Sequence, residues 1–181
     1  SPMEDAHAAI DTLRAIHGQV ESNRGASIPD WAYRDVLFML IYYSIVSYEL
    51  LERKMSASEK EEVYNVFYRV GSRMGLKELP LTYEQWLSAR ESHLESDLNY
   101  GEYTADLFRQ YKRQLGGLRY LVLSEGQKLV VPKQVTTLLK LNENSLLRPL
   151  VSVYKMSRKV KLDWLLRNML LPPKYKQQIE A

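Results

Sequence analysis

The 181-residue chain contains no cysteine, which excludes disulfides, thiolate ligands and thiol nucleophiles from its chemistry. It also lacks the glycine patterns that cradle phosphates and the strand–turn–serine elbow of hydrolases. The only imidazoles are His7, His17 and His93, and no two stand at His-x-x-x-His spacing, so a zinc site of common spacing has no support. The longest apolar stretch, Val36 to Tyr48, is 13 residues. A membrane-spanning helix needs about 20, so this stretch is expected to be a buried core helix. Ser1 to Asp11 carries Pro2, Glu4, Asp5 and Asp11 and no apolar run, so no secretory leader is expected there. A net charge of +3, with no basic block interleaved with aromatics, gives nucleic acid no footing as a partner. Evenly spaced strands with Asn-Gly or Asp-Gly turns are missing, which removes an all-β or α/β reading.

What is present is ordinary globular material. Hydrophobic residues make up 45% and charged residues 26%, and the length suits one core of roughly 100–200 residues. Thirteen tyrosines stand against three Phe and three Trp. Tyrosine combines an apolar body with a polar tip, so the excess suits core edges and pocket walls. Apolar residues Ala9, Ile10, Leu13, Ile16 and Val20, with His17, recur at helical spacing and predict a helix over 6–20. Asp30 is expected to cap a second helix reaching about Arg53, apolar on nearly all sides and therefore buried on all sides. Ser56 with Glu59 reads as a capping box that opens a helix over Ala57–Met74, stopped by Gly75. Thr82 with Gln85 caps another helix to about Leu98. A further helix, Tyr103–Leu115, is ended by Gly116-Gly117, and Leu118–Leu123 could be strand or helix. Pro132 begins a helix through Leu141, and Asn144 or Ser145 caps one through Met156 with Pro149 in its first turn. Val160–Leu171 makes the last helix, ended by Pro172-Pro173. The expected fold is all-α: a single globular domain over 1–181, about eight helices packed around the apolar helix at about 30–53.

Few residues in this pattern carry chemistry. His17 lies on the apolar face of the first helix, which admits two readings. One is a half-buried histidine hydrogen-bonded to a carbonyl; the other is an axial ligand to heme iron, a neutral imidazole on an apolar face. His7 falls near the opposite side of that helix, and His93 reads as a solvated helix position. Tyr42, Tyr43 and Tyr48 either line a pocket for a hydrophobic ligand or pack as core residues with satisfied hydroxyls, and Glu49 ends their helix. Toward the C-terminus Lys155, Arg158, Lys159, Lys161, Arg167, Lys174 and Lys176 face only Asp163, interleaved with Leu162, Trp164, Leu165, Leu166, Met169 and Leu170. That segment suits either peripheral contact with an anionic membrane surface or a solvated face over the core.

Several runs in this chain resemble one family. They are Leu13-Arg14-Ala15-Ile16-His17, then Ser56-Ala57-Ser58-Glu59-Lys60-Glu61, then Tyr68-Arg69-Val70-Gly71-Ser72-Arg73-Met74-Gly75, then Leu79-Pro80-Leu81-Thr82-Tyr83-Glu84-Gln85-Trp86. Leu147-Arg148-Pro149-Leu150 and Leu170-Leu171-Pro172-Pro173 continue the likeness. Together they are similar to the family of the fungal endoplasmic-reticulum oxygenase MpaB, of which bacterial rubber oxygenase is a distant member, over roughly residues 9–173. The motifs are specific in combination rather than singly.

The resemblance implies an all-helical fold, heme b, and dioxygen-dependent cleavage of a carbon–carbon double bond in an isoprenoid-like, hydrophobic substrate. It implies His17 as the proximal ligand to the heme iron, since the family's ligand sits in a Met-His or Ile-His pattern before the buried helix. The family's distal polar residues, an arginine-lysine-threonine group and in rubber oxygenase a glutamate, lie upstream of that histidine. This chain starts 16 residues before His17, so the sequence is expected to be the C-terminal part of a longer family domain or a short member. Only Tyr42, Tyr43 or Glu49 would then be left to serve as catalytic groups. The competing expectation is a helical module without heme that binds a lipid or a protein partner. Endoplasmic-reticulum membrane association and a cytoplasmic location both stay open.

Overall fold

The computed structural model describes residues 2–142 and 144–159. Helix α1 runs Pro2–Arg24, α2 Asp30–Leu51, α3 Ala57–Met74, α4 Tyr83–Ser96, α5 Glu102–Gln127, α6 Lys133–Leu138 and α7 Arg148–Lys159. The described residues contain no strand, so the all-α expectation holds, with seven described helices where about eight were expected. The helix expected over 160–171 and its Pro172-Pro173 stop lie outside the described residues.

The helix boundaries follow local chemistry. Ser56 Oγ accepts the Glu59 N–H at 3.2 Å while the Glu59 carboxylate accepts the Ser56 N–H at 2.8 Å. This reciprocal pairing satisfies two donors that the first turn of α3 cannot. Gly75 ends α3 at φ 87°, a left-handed conformation that glycine adopts without a Cβ clash. The Leu76 N–H then reaches back to the Gly71 carbonyl at 3.1 Å. Thr82 caps α4 by accepting the Gln85 N–H at 3.2 Å. Asp30 turns out to be the first helical residue of α2 rather than its cap, its carboxylate still placed at the positive end of the helix. Gly116 behaves differently from expectation. It takes φ 74°, ψ 172°, so it kinks α5 without ending it, and Leu118–Leu123 is helix on the far side of the kink. Pro132 sits at the N-cap of α6 rather than inside it. That helix stops at Leu138, short of Leu141, because Lys140 turns left-handed at φ 51°.

The described residues form two compact units, one from the chain up to 47 together with 54–98, the other from 48–53 together with 99 onward. The core of the first is Leu37, Phe38, Ile41 and Ile45 from α2, Tyr64 from α3 and Trp86 from α4. Phe38 meets Trp86 edge to face at 6.3 Å, and Tyr83 stacks tilted on it at 5.3 Å. Gly71 is buried where α3 passes α2. A Cβ there would lie 2.6 Å from Leu37 Cδ2 and 3.0 Å from Leu79 Cδ1, so a side chain at this position would have to displace two leucine side-chain ends packed over it. Tyr64 donates its hydroxyl to the Pro80 carbonyl, and burial pushes that phenol up to about 12. Tyr64→Phe leaves the carbonyl without its donor, so a loss of about 1–2 kcal/mol is expected in urea unfolding.

One expectation about this unit is corrected. Helix α2 is buried on one side, not on all: Trp31, Val36, Met39 and Leu40 are about half exposed or more, because the covering side chains come from α3, α4 and the 75–80 loop. The apolar stripe of α1 is likewise only partly covered. Leu13 and Ile16 are exposed, and no α1 residue is fully buried. Helix α1 is instead pinned to α3 by a two-pronged ion pair, Arg73 Nη2 to Asp11 Oδ2 at 2.6 Å and Arg73 Nε to Asp11 Oδ1 at 2.9 Å. The guanidinium holds the Asp11 carboxyl below its ordinary range.

In the second unit Glu125 is the buried anchor. Its carboxylate accepts from Lys128 Nζ at 2.5 Å and from the Leu146 N–H at 2.7 Å. Ser145 Oγ donates to the Glu125 carbonyl at 2.8 Å and accepts the Leu147 N–H. The turn that leads into α7 is thereby tied to α5. The Lys128 ammonium first, and the Leu146 N–H second, hold the Glu125 carboxyl below its ordinary 4.5. A carboxylate depressed in the folded state stabilises fully above its unfolded value, and that contribution is lost as pH falls through the folded value. Protection of the Leu146 amide against hydrogen exchange is therefore expected to collapse on acidification below about pH 4.5. Glu125→Gln should remove that acid sensitivity.

Candidate functional site

The site is built where α1 ends. Glu21, one turn beyond His17, accepts the Ile28 N–H at 2.7 Å and the Tyr33 hydroxyl at 3.2 Å on the same oxygen. A single carboxylate therefore folds the 25–29 loop back and anchors the first turns of α2. Burial first, then the Glu21 charge, raises the Tyr33 phenol, so it stays a donor. The Tyr33 ring lies 5.3 Å from the His17 ring at 39°. His17 is thus held by an aromatic neighbour that is itself held by Glu21.

These residues wall a cleft of about 300 Å³, at the lower end of ligand-pocket sizes. Arg14, His17, Gly18 and Glu21 present one side of α1 to it, and Met74, Gly75 and Leu76 close it from the end of α3. The Arg14 guanidinium passes over Gly75, 3.6 Å from where a Cβ would stand. A Cβ on Gly18 would meet nothing within 4 Å, so open space lies directly beside His17. The decisive feature is His17 Nδ1: it is buried and has no hydrogen-bond partner. Buried polar atoms are nearly always paired, and an orphan calls for an explanation. The reading of His17 as a histidine satisfied by a carbonyl has no support at this nitrogen.

An imidazole with an uncommitted nitrogen, on a wall with an arginine nearby, an empty glycine face and the apolar edges of Ile28, Met74 and Leu76, is a donor set that suits an iron porphyrin. A porphyrin brings four of the iron's ligands and needs one from the protein, with cations for its carboxylates. Among the described residues no three His, Asp or Glu side chains gather as a metal-ligand set, a requirement that applies to a bare ion rather than to heme.

The other residues singled out by sequence are placed as follows. Tyr42 and Tyr43 pack edge to face at 5.2 Å, and the Arg90 guanidinium sits 3.7 Å over the Tyr42 ring. Burial raises both phenols and lowers Arg90; none of the three lines the His17 cleft. Tyr48, with Arg53 5.8 Å over its ring, and half-buried Glu49 belong to the second unit. His7 is half-buried and outside the cleft.

His93 corrects the sequence reading. It is not solvated: its side chain is 16% exposed, with Nε2 2.7 Å from Asp35 Oδ1 and Nδ1 2.8 Å from Asp97 Oδ2. Both bonds hold together only when both ring nitrogens carry protons. The ring ties α4 to α2 and borders a second cleft of about 380 Å³ with Trp31, Phe38 and the Arg34–Glu78 ion pair. The Asp97 partner was legible at i, i+4 on a helix; Asp35, 58 residues away, was not.

No described helix is long and apolar enough to cross a membrane. Compared with protein families, residues 1–178 match the catalytic domain described as ER-bound oxygenase mpaB/B′/rubber oxygenase. Comparison with curated proteins and with solved structures gives no match.

Proposed function

We propose a function from one premise: this chain belongs to the ER-bound oxygenase mpaB/B′/rubber oxygenase family, through its catalytic domain. On that premise it is a heme b-dependent oxygenase that cleaves a carbon–carbon double bond in a hydrophobic, isoprenoid-like substrate, with His17 as the protein's ligand to iron. The observation that carries the reading is the buried, unpartnered His17 Nδ1 at the wall of an open cleft. Heme, when bound, supplies the iron at which dioxygen is engaged. Both oxygen atoms end as carbonyl groups on the two carbons of the broken double bond, so no outside reductant is consumed.

The chain's own residues hold the group. Tyr33, fixed by Glu21, packs its ring against the His17 ring and limits how that ring can turn. Arg14 offers the cation that the porphyrin's carboxylates require. Ile28, Met74 and Leu76 supply the apolar edges of the cleft. Tyr42 and Tyr43 do not line the cleft and contribute nothing to it. Glu49 has no part in this reading.

The test is a visible spectrum of protein produced with heme precursor supplied, followed by oxygen uptake on polyisoprenoid. A stoichiometric Soret band near roughly 400 nm and carbonyl-ended products are expected. Colourless protein that cannot be reconstituted would replace this reading with a heme-free helical binding module.

A further inference from the structure

His93 stands between two carboxylates that come from different helices. Asp35 Oδ1 on α2 lies 2.7 Å from Nε2, and Asp97 Oδ2 at the end of α4 lies 2.8 Å from Nδ1. A carboxylate only accepts, and a neutral imidazole carries a single N–H. The arrangement therefore needs the imidazolium, because an ordinary carboxyl gives up its proton before an imidazole does. Among the described residues neither aspartate pairs with another cation. The remaining charges on this wall answer each other: Arg34 of α2 pairs with Glu78 of the loop before α4 at 2.7 Å.

Helix position makes Asp97 the weaker of the two partners. It caps the C-terminus of α4, where the helix presents its negative end and an acid is unfavourable. Glu95 adds a second acid to that end, and His93 is the basic residue of the last turn. Asp97 is also the more exposed partner, 59% against 43% for Asp35, so water competes more for its bond. A ring with one proton keeps Asp35 and turns a lone pair toward the Asp97 carboxylate. Two acids then crowd the end of α4 with no imidazolium to offset them. The Asp97 N–H closes that last turn on the His93 carbonyl at 3.0 Å, and the chain leaves the first unit just beyond, after Leu98.

We propose that His93 is a proton-operated latch: its imidazolium clamps the end of α4 to α2 beside the second cleft, and loss of one proton frees Asp97 and frays the last turn of α4. The latch is closed in acid and opens as pH rises, since the ring that makes both bonds is the protonated one. It stands whether or not His17 holds heme, because the two clefts share no lining residue.

The test is amide hydrogen exchange of the full 181-residue chain by NMR at about pH 5 and about pH 8, the ends of the usual histidine range. Each rate is divided by that of the same amide in an unfolded chain. Protection of the Asp97 amide is expected to fall about fivefold or more between the two, while the Gly75 amide that ends α3 keeps its protection. Nitrogen-detected spectra of the ring should show protons on both His93 nitrogens at the acid end. His93→Gln should abolish the pH dependence, because glutamine does not titrate. Should that variant fail to fold, Asp97→Asn serves instead. Its amide can accept from the charged ring and donate to the bare nitrogen of the neutral one, so the turn should stay closed at both ends. Unchanged protection of Asp97 in the wild type, the same fall in either folded variant, or a singly protonated His93 ring at the acid end overturns the proposal.

Discussion

His17→Ala is expected to abolish the Soret band of heme-loaded protein while leaving the fold almost untouched. The two halves of that expectation come from different parts of the geometry. Loss of the band follows from removing the only histidine among the described residues that line the cleft, one whose Nδ1 is buried without a hydrogen-bond partner. Retention of the fold follows because the ring makes no hydrogen bond through Nδ1 and sits on a helix with no fully buried residue. What packing is lost is chiefly the contact with Tyr33, about 0.5–1.5 kcal/mol. Free imidazole added to the alanine variant should restore part of the band by filling the vacated position. Full heme occupancy in His17→Ala would remove the ligand assignment. A large fall in stability, with no heme seen in the wild type, would make His17 a core residue instead.

Trp86→Ala is expected to cost about 3–5 kcal/mol in the first unit, the usual range for deleting a large buried aromatic ring. Set against typical domain stabilities of about 5–15 kcal/mol, that removes much of what holds the unit together. Trp86 is 1% exposed and meets Phe38, Tyr64 and Tyr83, so no neighbouring backbone can close the void without moving three rings. Trp86→Phe should be far milder, under about 1.5 kcal/mol. It keeps most of the ring, and the indole N–H it discards is buried without a partner in the wild type. Urea unfolding followed by circular dichroism separates the two. Equal losses in both variants would show that the indole N–H contributes more than its unpaired position implies.

Local chemistry was readable in advance. The Ser56–Glu59 box and the Gly75 stop set both ends of α3, because each needs only residues within one turn. His17 was legible as a candidate for the same reason: one imidazole on an apolar stripe, in an Ile-His pattern that resembles the family. The reading failed wherever the outcome depended on which surfaces meet. Val36, Met39 and Leu40 are as apolar as Ile41 and Ile45, and nothing in their spacing says that α3 and α4 arrive from one side only. His93 showed Asp97 nearby but hid Asp35. Glu125, the buried anchor of α7, was unremarkable in sequence because its N–H donor, Leu146, lies 21 residues on.

By itself the sequence determined that the chain is helical and where most helices begin and end, and it singled out His17 as the candidate ligand. Capping, helical period and residue type act over a few residues and need no partner. Only the tertiary structure decided that His17 Nδ1 is left unpaired beside a cleft, that Glu21 and Tyr33 hold its ring, and that His93 is gripped by Asp35 as well as Asp97. Burial and pairing are properties of surfaces brought together from distant parts of the chain, and a linear pattern records only what each surface offers.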